Sequence, residues 1–447
     1  MKNLASLMIN PNRRKLLLGI SAFSLVMPVA TFAQSASLNA ADFGLKANVN
    51  KDQSLVLQTL INKAADIGLS LFIPAGKYNI GAINLPNNIS LFGISGATIL
   101  HSSSSEILIS AKDKTNISIK DISFFGAKQN EENVVSFLNC ENITFDNVDV
   151  SQSAGNGVYF ENCQGSIINC NVSNIKRAAI HLQNSNGMIV SKNNVKNCAN
   201  GGILVWRYEN GRDGTIISDN QISGIGSQSG NGQNGNGINV YLADEVIVAN
   251  NSITDCAFSA IRLNSTNNVI VKGNICTQCQ EVAIFSEFAF SGSIITENLV
   301  DQAATGISIT NFDDGGRLAI CSNNIVRNIW KSSPTNPDTS PIAIFAEADT
   351  AEIGNVVENV PGIGIYAGWG PYLRDVLVTN NIVRNSFVGI GVSVSEGAGI
   401  AHVSNNLISN SKIAAISGMR WLEPAGSDLS KKPNQFDSVK VKDNSVS

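Results

Sequence analysis

Four side chains near the middle of the chain have the types needed to abstract a proton next to a carboxylate: His181, Tyr241, Arg262 and Glu287. A lyase or C5-epimerase acting on a uronate needs a base for that proton and a cation that neutralises the carboxylate. Arg262 is the candidate cation, with Arg207 and His181 as predicted neighbours, and Tyr241 is a candidate acid. The alternative is that Arg262 only forms a structural ion pair with Glu287 one repeat along.

A pair of carboxylates would support a different reaction. Glycoside hydrolysis needs two carboxyl groups about 5–10 Å apart, and Glu287 with Asp313 or Asp314 would supply them. The alternative is that these two aspartates and the two glycines after them only form a turn. Together with Glu347 and Asp349 the aspartates offer oxygen ligands for Ca²⁺, but no loop spacing identifies such a site. No cofactor is therefore predicted.

A repeated motif must position these side chains. The motif is an Asn followed by apolar residues, and it occurs at Asn147, Asn171, Asn194, Asn220, Asn251, Asn274, Asn298, Asn324, Asn355, Asn381, Asn406 and Asn444. Most intervals between successive motifs are 23 to 26 residues, and longer intervals mark insertions. Short β-branched runs precede each Asn, and such strands at fixed spacing indicate a solenoid. We expect each Asn to turn the chain with a positive φ and to hydrogen-bond its counterparts as a ladder.

The second run of each repeat alternates inward and outward side chains. Its first outward column is Tyr159, His181, Leu204, Asn239, Arg262, Phe285 and Ser308, and its second is Glu161, Gln183, Trp206, Tyr241, Asn264, Glu287 and Thr310. Aromatic and amide side chains suit sugars, and insertions at 207–215, 224–236 and 331–341 would wall the face into a cleft. The predicted ligand-binding residues are Trp206, Arg207, Asn239, Asn264, Asn311, Asp313 and Asp314. The alternative is a solvated face whose aromatic rings pack under the insertions.

The first 33 residues have the composition of an export signal. Arg13-Arg14-Lys15 precedes an apolar run that continues to Met27, and Thr31-Phe32-Ala33 supplies small residues before a cleavage point. The paired arginines resemble a twin-arginine (Tat) signal, which implies the Tat translocase as a partner and a periplasmic or secreted protein. An ordinary secretory signal is the alternative. We predict no membrane span in the chain from residue 34 onward, because no apolar run is long enough.

Composition and charge exclude other classes of protein. Apolar residues make up 43% of the chain, charged residues 15%, and the net charge is −4. The chain is too hydrophobic for a disordered protein, and its scattered Lys and Arg argue against nucleic acid as a partner. Cys140 and Cys163 are 23 residues apart, as are Cys256 and Cys279. This repeat spacing favours buried thiols stacked on neighbouring coils, with disulfides as the alternative.

The N-terminal segment carries a family resemblance. Residues 52–66 form an amphipathic helix pattern, flanked by Ala41-Asp-Phe-Gly44, Phe72-Ile-Pro74-Ala-Gly76-Lys-Tyr78 and Leu91-Phe-Gly93. Together they resemble the entry of the pectate-lyase-like superfamily, which implies a helix that covers the first coil and oligosaccharide bound along one sheet face. Later segments resemble a family of Tat-exported repetitive proteins, which implies export and a β-helix but no reaction: Val205-Trp-Arg207, residues 256–262, 310–317, 368–370 and 372–375.

The sequence therefore predicts an all-β fold, a right-handed single-stranded parallel β-helix with an N-terminal capping α-helix. Residues 1–33 are the signal, 34–100 the cap and first coils, and 101–447 the β-helix with its insertions. The predicted function is to act on or bind a polysaccharide or a glycan of the cell envelope. A lyase or epimerase is favoured over a glycoside hydrolase. The alternative is a non-catalytic periplasmic glycan-binding or envelope protein, supported by the absence of known β-helix hydrolase and epimerase motifs.

Overall fold

The computed structural model describes residues 37–102, 106–126, 132–230 and 232–447. The predicted signal, residues 1–33 with Arg13 and Arg14, lies outside them. Within these ranges the chain is one compact unit that begins at Ser37. A search of the described helices for one long and apolar enough to cross a bilayer found none.

Most of the described chain is β-strand, arranged in coils that stack in parallel. One sheet takes one strand from each coil, and its sixteen described strands are Ser37–Asn39, Ser70–Phe72, Ile89–Phe92, Thr115–Lys120, Glu141–Asp146, Gly165–Ile168, Ile189–Ser191, Ile216–Ser218, Ile247–Ala249, Asn267–Lys272, Ser291–Thr296, Arg317–Ser322, Thr350–Ile353, Val376–Thr379, Ala401–Ser404 and Val439–Lys442. Each strand pairs with its counterpart one repeat along, which is the arrangement of a parallel β-solenoid.

A second sheet wraps the rest of each coil, and several of its strands bend to cover two faces. Its twenty-five described strands are Gly76–Ile80, Ile83–Asn84, Thr98–Ser102, Ile109–Lys112, Ser123–Phe125, Val135–Leu138, Asp149–Ser153, Val158–Glu161, Asn171–Ile175, Ala178–Gln183, Asn194–Cys198, Gly201–Arg212, Gln221–Ile225, Asn236–Asp244, Ser252–Cys256, Ile261–Asn264, Ile275–Glu287, Leu299–Ile309, Ile325–Arg327, Ile342–Ala346, Val356–Ala367, Ile382–Ser393, Leu407–Arg420, Glu423–Ala425 and Ser445–Val446. The predicted all-β solenoid is confirmed.

The core is a set of buried apolar columns, one side chain per coil. All eight cysteines are free thiols within it. Cys256 lies directly opposite Cys279 on the next coil, and Cys140 and Cys163 each follow by two residues the paired positions Leu138 and Glu161. Burial removes these apolar side chains from water, which is the main stabilising contribution to such a stack. The predicted stacking of thiols at the repeat spacing is confirmed for both pairs.

An asparagine ladder closes one corner of the stack, but not with the predicted geometry. Each amide donates to the Oδ1 of the next coil's asparagine at 2.9–3.0 Å, and the members are Asn193, Asn220, Asn251, Asn274, Asn298, Asn324, Asn355, Asn381, Asn406 and Asn444. The positive φ belongs to the residue before, as at Asn250 and Asn323. Asn147, Asn171 and Asn194 are not members. The predicted ladder is therefore confirmed from Asn220 to Asn444, whereas the prediction that the ladder residue itself has the positive φ was wrong, because two adjacent residues divide the two roles.

The N-terminal cap is the helix α1, Ser54–Asp66. Leu57, Leu60 and Ile61 are buried on the face that covers the first coil. Oδ1 of Asp52 accepts a 2.9 Å hydrogen bond from the Ser54 N–H at the start of the helix. The helix thereby shields the open end of the solenoid, whose unpaired strand groups would otherwise be exposed. Two short 3₁₀ helices, Ala40–Phe43 and Phe312–Asp314, complete the helical segments of the described chain.

The insertion at 331–341 leaves the stack undisturbed. Ile325–Arg327 before it and Ile342–Ala346 after it both pair in register with Leu299–Ile309 on the preceding coil. Both also pair in register with Val356–Ala367 on the following coil. The insertion therefore projects from a corner without changing the coils that carry it.

Candidate functional site

The two predicted outward columns are aligned by strand register. Tyr159 pairs with His181, Asn239 with Arg262 and Arg262 with Phe285 in the first column. In the second column Trp206 pairs with Tyr241, and Asn264 pairs with Glu287. We call the surface that carries both columns the site face.

Two neighbouring cavities open on the site face. The tryptophan cavity, of about 480 Å³, is lined by Glu281, Phe285, Asn311, Asp313, Asn336, Asp338, Phe345, Glu347, Trp369, Tyr372 and Trp421 among others. The tyrosine cavity, of about 710 Å³, is lined by Trp206, Gly232, Gln233, Asn239, Tyr241, Arg262, Asn264, Ser265, Glu287, Phe288, Ala289 and Asp314. Residues of the insertions at 224–236 and 331–341 line them, as predicted for walls of a cleft, whereas residues 207–215, predicted as a third wall, line neither cavity.

Arg262 is enclosed by two buried carboxylates. Its Nε and Nη2 donate to Oε1 and Oε2 of Glu287 at 2.6 and 2.8 Å, and its Nη1 donates to Oε2 of Glu281 at 3.1 Å. Asn264 adds a 2.8 Å hydrogen bond to Glu287, and Asn336 adds one to Glu281. Burial raises the pKa of Glu287 against the opposing effect of the guanidinium. The ion pair that the sequence offered as an alternative role is present, and a second carboxylate extends it.

His181 lies away from this cluster. Three coils separate it from Arg262 in the first column, roughly 14 Å at about 4.8 Å per coil. Its ring packs edge-on between Tyr159 and Trp206, at centroid distances of 5.2 and 5.0 Å. Burial lowers the pKa of His181 to about 4, so the imidazole is neutral at pH 7. The prediction that His181 neighbours Arg262 was wrong. The two residues lie in the same column, but they are not on adjacent coils.

Arg207 turns away from both cavities. Its Nη1 donates to the Ser185 carbonyl and to Oδ1 of Asn186, and lies 3.7 Å from Asp213. The strand pairing shifts register just after Trp206, so that the alternation of side chains breaks at this residue. The expectation that Arg207 contacts a ligand beside Arg262 is corrected by this bulge.

Asn311, Asp313 and Asp314 belong to the turn between the two cavities. Asn311 has a φ of 73°, and its Oδ1 accepts a 3.2 Å hydrogen bond from the Phe288 N–H. Asp313 lines the tryptophan cavity, whereas Asp314 lines the tyrosine cavity. Both aspartates are exposed. The turn that the sequence offered as an alternative is therefore present, and it also presents a carboxylate to each cavity.

Glu347 is a buried carboxyl group on the wall of the tryptophan cavity. Only 5% of its surface is exposed, and its Oε2 accepts a 2.7 Å hydrogen bond from the Phe312 N–H. Burial raises its pKa to about 7, and the nearby charge of Asp313 acts in the same direction. A carboxyl group with a raised pKa beside a second carboxyl group is the arrangement that glycosidic acid catalysis uses.

A family model for the right-handed β-helix region matches residues 82–221 and 156–325, which together span more than half of the chain. The chain belongs to the right-handed β-helix family. No curated protein matches the sequence significantly.

Solved structures similar to this β-helix share its fold at low identity. The bacteriophage phi29 gene product 12 N-terminal fragment has 13% identity over 85% of this chain and 68% of its own, with a TM-score of 0.50. A GH87 α-1,3-glucanase catalytic unit from Streptomyces thermodiastaticus has 16% identity over 92% and 69%, with a TM-score of 0.48. The mannuronan C-5 epimerase AlgE6 A-module from Azotobacter vinelandii has 12% identity over 92% and 99%, with a TM-score of 0.37.

Two carboxyl groups of this β-helix were not predicted as catalytic or sugar-binding residues: Glu281, and Glu347, which was considered only as a Ca²⁺ ligand. Glu347 continues the second column one coil beyond Thr310, because Ile309 pairs with Ala346 immediately before it. The insertion at 331–341 interrupts the repeat spacing between Thr310 and Glu347. Glu347 could have been found from the sequence by continuing the second column past this insertion. Glu281 precedes the alternating run of its strand, so the repeat pattern could not identify it. It reaches Arg262 because the chain bends at the corner of the coil.

Two of the acidic residues considered for Ca²⁺, Glu347 and Asp349, have hydrogen-bond partners in the protein. Asp349 accepts hydrogen bonds from Arg317 and Arg374, and both guanidinium groups lower its pKa. In the ranges that the structure describes, no three His, Cys, Asp or Glu side chains are grouped to hold a metal ion. The groups that the two cavities present to a ligand are therefore mainly carboxyl groups and aromatic rings.

Proposed function

We propose that this protein hydrolyses glycosidic bonds of a polysaccharide in the tryptophan cavity, with Glu347 as general acid and Asp313 as its partner carboxylate. The observation that carries the proposal is the raised pKa of Glu347, about 7, next to an exposed aspartate. Both line a cavity with Trp369, Tyr372 and Trp421. Aromatic rings of this kind bind the apolar faces of sugars.

The residues divide the reaction between them. Glu347 protonates the departing glycosidic oxygen as the bond from the anomeric carbon breaks, and positive charge develops on the sugar ring. Asp313 is exposed to the cavity, and its carboxylate stabilises that charge or activates water. The Phe312 N–H orients the Glu347 carboxyl, so the acid is held in one direction while substrate binds.

Elimination or epimerisation at Arg262 is the weaker candidate. A lyase needs a cation that is available to the uronate carboxylate. The three hydrogen bonds from Arg262 already go to the carboxyl groups of Glu281 and Glu287, so its guanidinium is not available to a substrate carboxylate. Moving Glu287 away to serve as a base would leave a buried arginine with one partner, which is costly.

The protein is further proposed to act outside the cytoplasm. The supporting features are the paired arginines at positions 13 and 14, the apolar run and the small residues before position 34. Fusing residues 1–40 to a reporter that is active only after export tests this. Replacing both arginines with lysine abolishes export if the signal is of the Tat type, and leaves it unchanged if it is an ordinary secretory signal.

The hydrolysis proposal is tested by incubating the protein with neutral and uronate-containing polysaccharides. We expect new reducing ends without the ultraviolet absorbance of unsaturated uronates. Glu347→Gln and Asp313→Asn each lower the rate by roughly 10²-fold or more. Glu358→Gln is the matched control, because Glu358 pairs with Arg384 outside both cavities.

Three results would contradict the proposal. Unsaturated products would establish elimination instead. Full activity of the Glu347→Gln protein would remove the general acid. Retention on a polysaccharide without any product would favour the non-catalytic glycan-binding protein.

A further inference from the structure

The charge of the two cavities is strongly unbalanced. In the described part of the chain no lysine lines either cavity. Besides Glu347, which the proposed function uses in its protonated form, the carboxyl and basic side chains that line them are five acids and one base: Glu281, Glu287, Asp313, Asp314, Asp338 and Arg262. A cleft lined by one sign of charge attracts ligands of the opposite sign and repels ligands of the same sign.

The single arginine does not offset this charge for a ligand. Its guanidinium makes three hydrogen bonds to two carboxylates and lies over the Phe285 ring, 5.1 Å from the ring centroid. Gly232, in the insertion at 224–236, lies so close that any side chain there would collide with Nη1. A uronate carboxylate would therefore meet an arginine that is enclosed and already paired.

Unpaired polar atoms in the tyrosine cavity point to an uncharged ligand. Asn239 is 4% exposed and lines this cavity. Its Nδ2 donates to the Gln233 carbonyl at 3.2 Å, but its Oδ1 has no hydrogen-bond partner. The indole N–H of Trp206, on the same cavity, also has none. A buried polar atom without a hydrogen-bond partner lowers stability. A sugar hydroxyl group can donate to Oδ1 of Asn239 and accept from the indole N–H of Trp206.

Tyr241 supplies the apolar contact that a sugar also needs. Its side chain is 39% exposed on the wall of the cavity, with its ring edge-on to Trp206 at 6.2 Å between centroids. A tyrosine held this way offers a flat apolar surface at little cost in side-chain entropy. In the second column four coils separate Tyr241 from Glu347, roughly 19 Å at about 4.8 Å per coil. Several sugar rings fit along that length.

We propose that the tyrosine cavity binds further sugars of a neutral polysaccharide whose cleaved bond lies in the tryptophan cavity, and that the cleft rejects uronate polymers. The inference rests on the proposed function for the position of the cleaved bond. The binding surface and its preference for uncharged chains rest on Tyr241, Asn239 and the enclosed Arg262.

Affinity electrophoresis on native gels at pH 7 tests the inference without turnover. The full-length Glu347→Gln protein is run in gels that contain laminarin, dextran, galactomannan, soluble α-1,3-glucan, polygalacturonate or alginate. We expect at least one neutral polymer to retard the protein and neither uronate to do so. Adding Tyr241→Ala weakens the retardation about tenfold, whereas Tyr241→Phe retains it. Tyr208→Ala is the control, since Tyr208 is exposed and lines neither cavity.

The outcomes separate the two proposals. Retardation by polygalacturonate or alginate, or no retardation by any polymer, overturns the inference. Equal binding by the Tyr241→Ala and Tyr208→Ala proteins overturns the role of the tyrosine cavity. Retardation by a neutral polymer that the wild-type protein never cleaves supports the binding inference and contradicts hydrolysis.

Discussion

The backbone N–H of Phe312 donates a 2.7 Å hydrogen bond to Oε2 of Glu347. This bond joins the coil that carries the buried acid to the turn that carries Asp313, the next residue in the chain. The Glu347 carboxyl is thus held by a main-chain donor of the turn that carries Asp313. Four tests of the site and its scaffold follow from such contacts.

The rate of hydrolysis should fall as the pH rises through about 7. Burial raises the pKa of Glu347 to about 7 from an ordinary value of 4.5, so the carboxyl is protonated below that pH and ionised above it. Only the protonated form can act as general acid, and its fraction falls about tenfold per pH unit above the pKa. Measuring kcat/KM from pH 5 to 9 checks this. A flat profile across that range would show that no acid with this pKa takes part.

Replacing Arg262 should lower the free energy of unfolding. In the Arg262→Ala protein Glu281 and Glu287 would be buried without their cation, at a cost of about 3–5 kcal/mol. Arg384→Ala is the control and should cost about 1 kcal/mol or less, because its pair with Glu358 is exposed. Urea midpoints measure both. Adding Glu281→Gln and Glu287→Gln should recover part of the loss; no recovery would rule out unpaired charge as the cause.

Removal of one ladder amide should weaken the whole stack. Nδ2 of Asn298 donates to the Val271 carbonyl and to Asn324, and its Oδ1 accepts from the amide of Asn274. Asn298→Ala leaves these buried groups unpaired, at a cost of about 3 kcal/mol. Asn171→Ala, at an exposed position, should change stability by about 0.5 kcal/mol or less. Thermal melting compares the two, and equal melting temperatures would mean that the ladder contributes nothing measurable.

Replacing Glu352 with an apolar residue should stabilise the protein. Glu352 lies between Cys321 and Val378 in a fully buried column, and neither carboxyl oxygen has a partner. Burial raises its pKa well above 4.5, so the folded protein keeps a proton that the unfolded chain releases. Wild-type stability therefore falls as the pH rises above about 4.5. Glu352→Ile should add about 1–3 kcal/mol, with a larger gain at pH 8 than at pH 4.

Glu141→Ile, at an exposed strand position, is the matched control for this substitution and should have little effect at either pH. An unchanged melting temperature for Glu352→Ile at pH 8 would show that the buried carboxyl is not a source of instability.

The sequence predicts the stack well because each strand alternates sides and each coil repeats its neighbour. These two regularities were enough to align Tyr159 with His181 and Arg262 with Phe285 across coils. They also identified Arg262 and Glu287 as neighbours. The predicted ladder is present from Asn220 onward, but the positive φ lies one residue earlier, since a periodic Asn does not reveal which of two adjacent positions takes it.

Parts of the site depend on contacts that no periodicity encodes. Arg207 left the site face because the register shifts after Trp206. Glu281 reaches Arg262 only through a bend in the chain. The raised pKa of Glu347 depends on burial beneath the turn at Phe312, which joins residues 35 positions apart. Such properties arise from tertiary packing and follow from the fold only once it is known.

The insertion at 331–341 can evolve separately from the stack of coils that carries it. Its residues Asn336 and Asp338 line the tryptophan cavity, yet the coils before and after it pair as if it were absent. The length of this segment can therefore change without disturbing the pairing of the coils. Selection for a new substrate can act on a few corner residues while the stack is inherited intact, and a transplanted segment could carry a new specificity into the same coils.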